Sequence, residues 1–146
     1  MKYLEGDVAE LVNINIFKYR WRGEPCGNMR LLFVVMDDPS GLEGSIRAAH
    51  AFHYAVGLAK AGHEVKVYLD GPGVKIPVSE SPYRGLRPAF EEVLRNNLLL
   101  GACGYCASPP HLNLRERLKG FRLIGDEEHH YAFEDLVAQG YQIIMA

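Results

Sequence analysis

MRLLFVVM, residues 29–36, is an almost unbroken apolar run with β-branched and aromatic members. Such a run suits a strand buried on both faces of a parallel sheet. The turn cluster Asp37-Asp38-Pro39-Ser40-Gly41 ends it. From Leu42 to Ala61 the chain is rich in alanine, and Ala48, Phe52, Ala55 and Ala59 recur at steps of four, three and four. That spacing traces one helical stripe, and Gly62 supplies the stop just past the helix end. Glu64–Leu69 then alternates as a second strand, less enclosed than the first, before Asp70-Gly71-Pro72-Gly73. A parallel pair needs a crossover connection, and a helix of this length provides it, so the stretch predicts a strand-helix-strand unit.

The rhythm continues to the end of the sequence. A helix is expected near Pro88–Asn96, with Pro88 in its first turn and Phe90, Val93 and Leu94 facing inward. A third strand is expected over Leu98–Cys103. Ser108 reads as an N-cap with Pro109 at N1, opening a short helix through Leu112, Arg115 and Leu118 to Gly120. Phe121–Gly125, a helix near Tyr131–Gln139 closed by Gly140, and the strand Tyr141–Met145 complete the pattern. Right-handed crossovers convert this order into an α/β domain over residues 29–146. Its architecture is a three-layer α/β/α sandwich with a mainly parallel five-stranded sheet. Residues 1–28 form an N-terminal extension or arm. Within it Leu11–Phe17 alternates like a strand, able to pair with a sheet edge or reach another subunit.

With 146 residues, 48% of them apolar, the chain can bury roughly 68 to 70% of its unfolded surface as one domain. It needs no disulfide staple. A formal charge of -2 argues against nucleic acid as a partner, since phosphate-tracking domains concentrate Lys and Arg on one face. No apolar run approaches the roughly 18 residues of a membrane helix, and the start lacks a basic region leading into an apolar one. The expectation is a soluble, cytoplasmic protein without a membrane partner. Three cysteines are an odd number in a chain of ordinary size, which speaks against a secreted disulfide framework and for at least one free thiol.

Chemistry concentrates in LLLGACGYCASPPHLN, residues 98–113. In open α/β sheets ligands bind beyond the carboxyl ends of strands, where Cys103 and Cys106 fall if the third strand is correctly placed. A thiol beside a helix N-terminus or a loop of outward-pointing N–H groups has its pKa lowered from about 8.5, raising the reactive thiolate fraction. Four readings of Cys103-Gly104-Tyr105-Cys106 stand: a redox pair, half of a metal site, a carrier of sulfur, or small hydrophobes in a buried turn. A thioredoxin-like pair would open a continuous helix, which Pro109 and Pro110 would break. A structural zinc site takes about four ligands, of which Cys103 and Cys106 supply two. Cys26 and one of His111, His129 or His130 are candidates to complete it, but no second pair stands at matching spacing. No metal and no cofactor are therefore expected. His129-His130 beside Glu127-Glu128 reads as the solvent-facing start of a helix, where acidic residues suit the dipole.

Other signals have ordinary explanations. His50 and His53, with Gly57 and Lys60, share a helical stripe that suits partly exposed histidines, although such a face can also line a crevice or subunit contact. Asp37-Asp38 follows the first strand, where paired carboxylates can orient a ligand, and an ordinary turn with Pro39 explains them equally well. Gly71-Pro72-Gly73 lacks both the GxGxxG spacing and a Lys-Ser/Thr ending, so no nucleotide is expected.

The order of these pieces resembles the DsrE family, the small proteins related to DsrE/DsrF, TusD/TusC and YchN. The matching pieces are the apolar first strand, the long alanine-rich helix, LAKAGHEVKVYLDGPGV, the strand closing at GACGYC, and the ending GYQIIMA. The likeness spans residues 29–146. It implies a subunit of homo-oligomers, trimers or hexamers, and in the sulfur-relay members a cysteine after the third strand that carries a persulfide between donor and acceptor proteins. Cys103 matches that cysteine, and Cys106 matches the second cysteine of the Cys-x-x-Cys members. Downstream the sequence departs from the pattern, with Pro110-His111 where an Arg-Gly pair often follows. The expected function is that of a sulfur carrier or sulfurtransferase using Cys103. The alternative is a noncatalytic oligomeric or ligand-binding subunit with structural cysteines.

Overall fold

The computed structural model describes residues 27–146. Cys26 and the alternating stretch 11–17 lie outside them. Five strands, β1 (Arg30–Val35), β2 (Glu64–Leu69), β3 (Leu99–Cys103), β4 (Leu123–Ile124) and β5 (Tyr141–Met145), form one sheet in the order β4-β3-β2-β1-β5. Every pairing is parallel, and Phe33 of β1 lies opposite Val67 on one side and Ile144 on the other. The α/β expectation holds. Arg30 is the only exposed residue of β1 and the other five are buried, which is why that segment's sequence shows no alternation.

Helix α1 (Leu42–Lys60) forms the first crossover, and α2 (Leu86–Arg95) the second. Ala48, Phe52 and Ala55 of the expected stripe are fully buried, and the small alanines let α1 lie close against the strands. Phe52 meets Phe90 of α2 with ring centroids 5.5 Å apart, so both helices cover the same face. Gly62 adopts φ +100° just past α1, the left-handed geometry that glycine adopts without steric cost. In α2, Phe90 and Val93 are buried as expected, but Leu94 is 41% exposed. The helix begins two residues earlier than its proline suggested.

The expected helix after Ser108 does not form. Residues 104–121 run as consecutive turns, and the Ser108 hydroxyl donates back to the Tyr105 carbonyl at 2.6 Å instead of capping a helix. Pro109 and Pro110 remove two N–H donors, and the remaining backbone groups close short turn bonds such as His111 N–H to the Ser108 carbonyl. The last helix, α3, is also short, covering Glu134–Ala138.

The route from β4 to β5 positions the site. These strands lie at opposite edges of the sheet, so residues 125–140 must travel across β3, β2 and β1. They do so over the face opposite α1 and α2, as a right-handed connection running back along the sheet requires. There Tyr131 and Phe133 pack on Tyr68 of β2, with centroids 5.6 and 5.1 Å away. No helix among the described residues is long and apolar enough to cross a membrane.

Candidate thiol and metal-ligand site

The site begins with a change of register. Val67 of β2 lies opposite Leu99, but Tyr68 lies opposite Gly101, so Leu100 is an extra residue in β3. Such a bulge shifts every later side chain to the other face. Without it Ala102 would follow Tyr68 on that face. With it Cys103 does, beside the end of β2 where Asp70 emerges. The chain then turns through Gly104. A Cβ there would collide with the Gly125 carbonyl oxygen, so this position requires glycine for close approach.

Four side chains converge. Single ligand atoms of Asp70, Cys103, Cys106 and His130 all lie within 4.8 Å of one another. The Cys106 thiol lies 3.5 Å from Asp70 Oδ1, and the Cys106 N–H donates to Cys103 Sγ at 3.4 Å. His130 Nε2 lies 3.0 Å from Asp70 Oδ1, while its Nδ1 lies 2.9 Å from the Tyr131 carbonyl oxygen. Asp70 Oδ1 also accepts the Gly71 N–H at 2.8 Å. Asp70 is only 5% exposed, and a carboxylate so placed needs these partners, because an uncompensated buried charge is costly.

The two sulfurs differ in access. Cys103 is fully buried, and Cys106 is half-buried. Both are free thiols. The expectation that this corner favours the thiolate is overturned for Cys106. Burial first, and then its contact with the Cys103 sulfur, push the Cys106 thiol up to about 12. Removing a charged sulfur from water costs more here than any nearby N–H returns. Burial and the neighbouring Cys103 likewise push the Tyr68 phenol far above its ordinary range. Its hydroxyl is buried without a hydrogen-bond partner among the described residues.

Of the histidines singled out in the sequence, only His130 joins the thiols among the described residues. It does not open a helix, because α3 starts four residues later, and its ring reaches back to β2 instead. His129 turns to Asp126 at 2.9 Å. His111 stacks on Tyr105 at 4.3 Å. His50 and His53 are exposed on α1. Asp37 and Asp38 serve ion pairs with Arg47 at 3.4 Å and Lys75 at 3.0 Å.

Three contributors were missed in the sequence. Asp70 was read only as a turn residue, although the end of β2 is as favourable a place for a ligand group as the end of β3. Tyr68 stands in the sequence only as a member of the alternating strand Glu64–Leu69. Arg115 appeared on an expected helix, but its guanidinium donates to the carbonyls of Gly104 and Gly125 at 3.0 and 3.3 Å, clamping the cysteine turn. Compared with family models, curated proteins and solved structures, the chain finds no match.

Proposed function

We propose that this chain is a DsrE-like protein that carries sulfur as a persulfide at the Cys103–Cys106 corner. The observation that supports the reading is the convergence of two free thiols with a carboxylate and an imidazole beyond the ends of β2 and β3. In the carrier step the Cys103 sulfur attacks the outer sulfur of a donor persulfide. A new S–S bond forms at Cys103, the donor's S–S bond breaks, and the donor's inner sulfur leaves as a thiolate that takes up the Cys103 proton. No electrons are gained or lost overall. An acceptor thiol then removes the outer sulfur by the same exchange. Because Cys103 is fully buried, the reading requires the half-exposed Cys106 and His130 side chains to swing aside. It also has the protein act in the cytoplasm as a homo-oligomer, trimer or hexamer, between donor and acceptor proteins.

The test is incubation of the reduced full-length chain with a low-molecular-weight persulfide, followed by mass spectrometry of the intact protein and its peptides. One added sulfur on the peptide containing Cys103, lost in Cys103→Ser and kept in Cys106→Ser, supports the carrier. Sulfur on Cys26 alone, or on no cysteine, refutes it. The second reading, a noncatalytic oligomeric subunit with structural cysteines, draws on the complete burial of Cys103 and the high pKa of Cys106. It expects an unloaded Cys103 in an assembly of unchanged size by analytical ultracentrifugation.

A further inference from the structure

We infer that Asp70, Cys103, Cys106 and His130 form a binding site for a divalent cation of the zinc class. The donor set is the first argument: two sulfurs, one imidazole nitrogen and one carboxylate oxygen are the groups such ions take, usually four at a time. Spacing is the second. With metal bonds of about 2.0 to 2.3 Å, the edges of a tetrahedron of these ligands run roughly 3.3 to 3.8 Å. The nitrogen–oxygen and sulfur–oxygen separations are 3.0 and 3.5 Å, and every pair lies within 4.8 Å. The first two of these separations already lie close to the edges of such a tetrahedron.

The surroundings of the four groups provide the third argument. A metal-binding imidazole ordinarily fixes its other nitrogen on a carbonyl or carboxylate, which selects the tautomer and aims the free nitrogen. The Tyr131 carbonyl does this for His130 Nδ1 at 2.9 Å, leaving Nε2 directed at the cluster. The Cys106 N–H points at Cys103 Sγ and the Gly71 N–H at Asp70 Oδ1, each able to support negative charge on its acceptor. A cation also answers the energetic problem of the corner. It sets a positive charge against the Asp70 carboxylate, which is only 5% exposed. His130, with 44% of its side chain exposed, stands at the solvent side and gives the ion its way in.

This inference does not depend on the sulfur-carrier reading. A bound cation occupies both sulfurs, so it would hold the pair closed to persulfides until removed. The two are separated by loading persulfide only onto metal-free protein and by reading metal binding through the ion's own spectrum.

The experiment uses the reduced full-length chain carrying Cys26→Ser, so that sulfur–metal bands arise from Cys103 and Cys106 alone. After treatment with chelator it is titrated with Co2+. The expected result is one equivalent bound, with a sulfur-to-cobalt charge-transfer band in the near ultraviolet and the intense visible bands of tetrahedral cobalt, all bleached by Zn2+. Cys106→Ser should lower the charge-transfer band, and His130→Gln should weaken cobalt binding by at least about tenfold. Neither position is fully buried, so both variants remain informative if Cys103→Ser fails to fold. A purely octahedral cobalt spectrum, or bands and affinity unchanged in both variants, overturns the inference.

Discussion

Replacing Tyr68 by Phe tests whether the one buried hydroxyl beside Cys103 serves the site or merely burdens the fold. The Tyr68 hydroxyl is sealed from solvent and has no hydrogen-bond partner among the described residues, and leaving such a group unpaired costs about 1 to 3 kcal/mol. The ring itself stays packed against Tyr131 and Phe133. Deleting one oxygen leaves a gap too small to cost more than a few tenths of a kcal/mol, by the usual scaling of cavity cost with volume. The net expectation is a metal-free protein more stable by about 1 to 2 kcal/mol, equivalent to a melting temperature higher by roughly 3 to 6 °C in a domain of this size. Urea unfolding followed by far-ultraviolet circular dichroism measures it. The midpoint should rise at constant slope. A lower midpoint at the same slope would refute the reasoning, because it would mean that the hydroxyl bonds productively to the Cys103 sulfur. If the hydroxyl serves sulfur chemistry, the same variant loads persulfide more slowly while folding better, the usual conflict between stability and a working site.

The Cys106 thiol, pushed up to about 12 by burial and its neighbour, should alkylate with iodoacetamide at pH 7 about a thousandfold more slowly than a free thiol of pKa about 8.5, and its rate should keep climbing past pH 10; a plateau near pH 9 contradicts the burial argument. Gly104→Ala places a methyl group on the Gly125 carbonyl oxygen, and forcing the turn from β4 should cost about 1 to 3 kcal/mol of unfolding free energy; a neutral substitution would show that the two segments separate freely. Asp38 is lowered from 3.8 to about 2, chiefly by the Ser40 N–H, with Lys75 adding to it. A depressed carboxylate contributes stability above its unfolded pKa and loses it as pH falls toward its folded value. Asp38→Asn should therefore flatten the decline in stability between about pH 4 and pH 2. Because the side chain is 46% exposed, the effect should be about 1 kcal/mol or less, and a decline of unchanged steepness by acid titration of the variant would rule it out.

The sequence by itself determined the layers of the domain. Unbroken apolar runs such as Leu31–Val35 and a three-four stripe such as Ala48, Phe52 and Ala55 are local consequences of which faces must be buried, so period and length identify them without coordinates. It also pointed to Cys103 and Cys106, since a strand's end is legible once the strand is. It misjudged residues 104–121, where two prolines and side-chain bonds such as that of Ser108 compete with helix formation and no periodicity decides the outcome. The partners of the thiols were decided only in three dimensions. A single extra residue in β3, Leu100, turns Cys103 toward Asp70, and strand alternation in the sequence cannot show a bulge because pairing defines it. His130 lies 60 residues from Asp70 along the chain and reaches it at 3.0 Å because the last connection must cross the sheet from one edge to the other. That path follows from strand order, a property of the whole assembly of strands that no local stretch encodes.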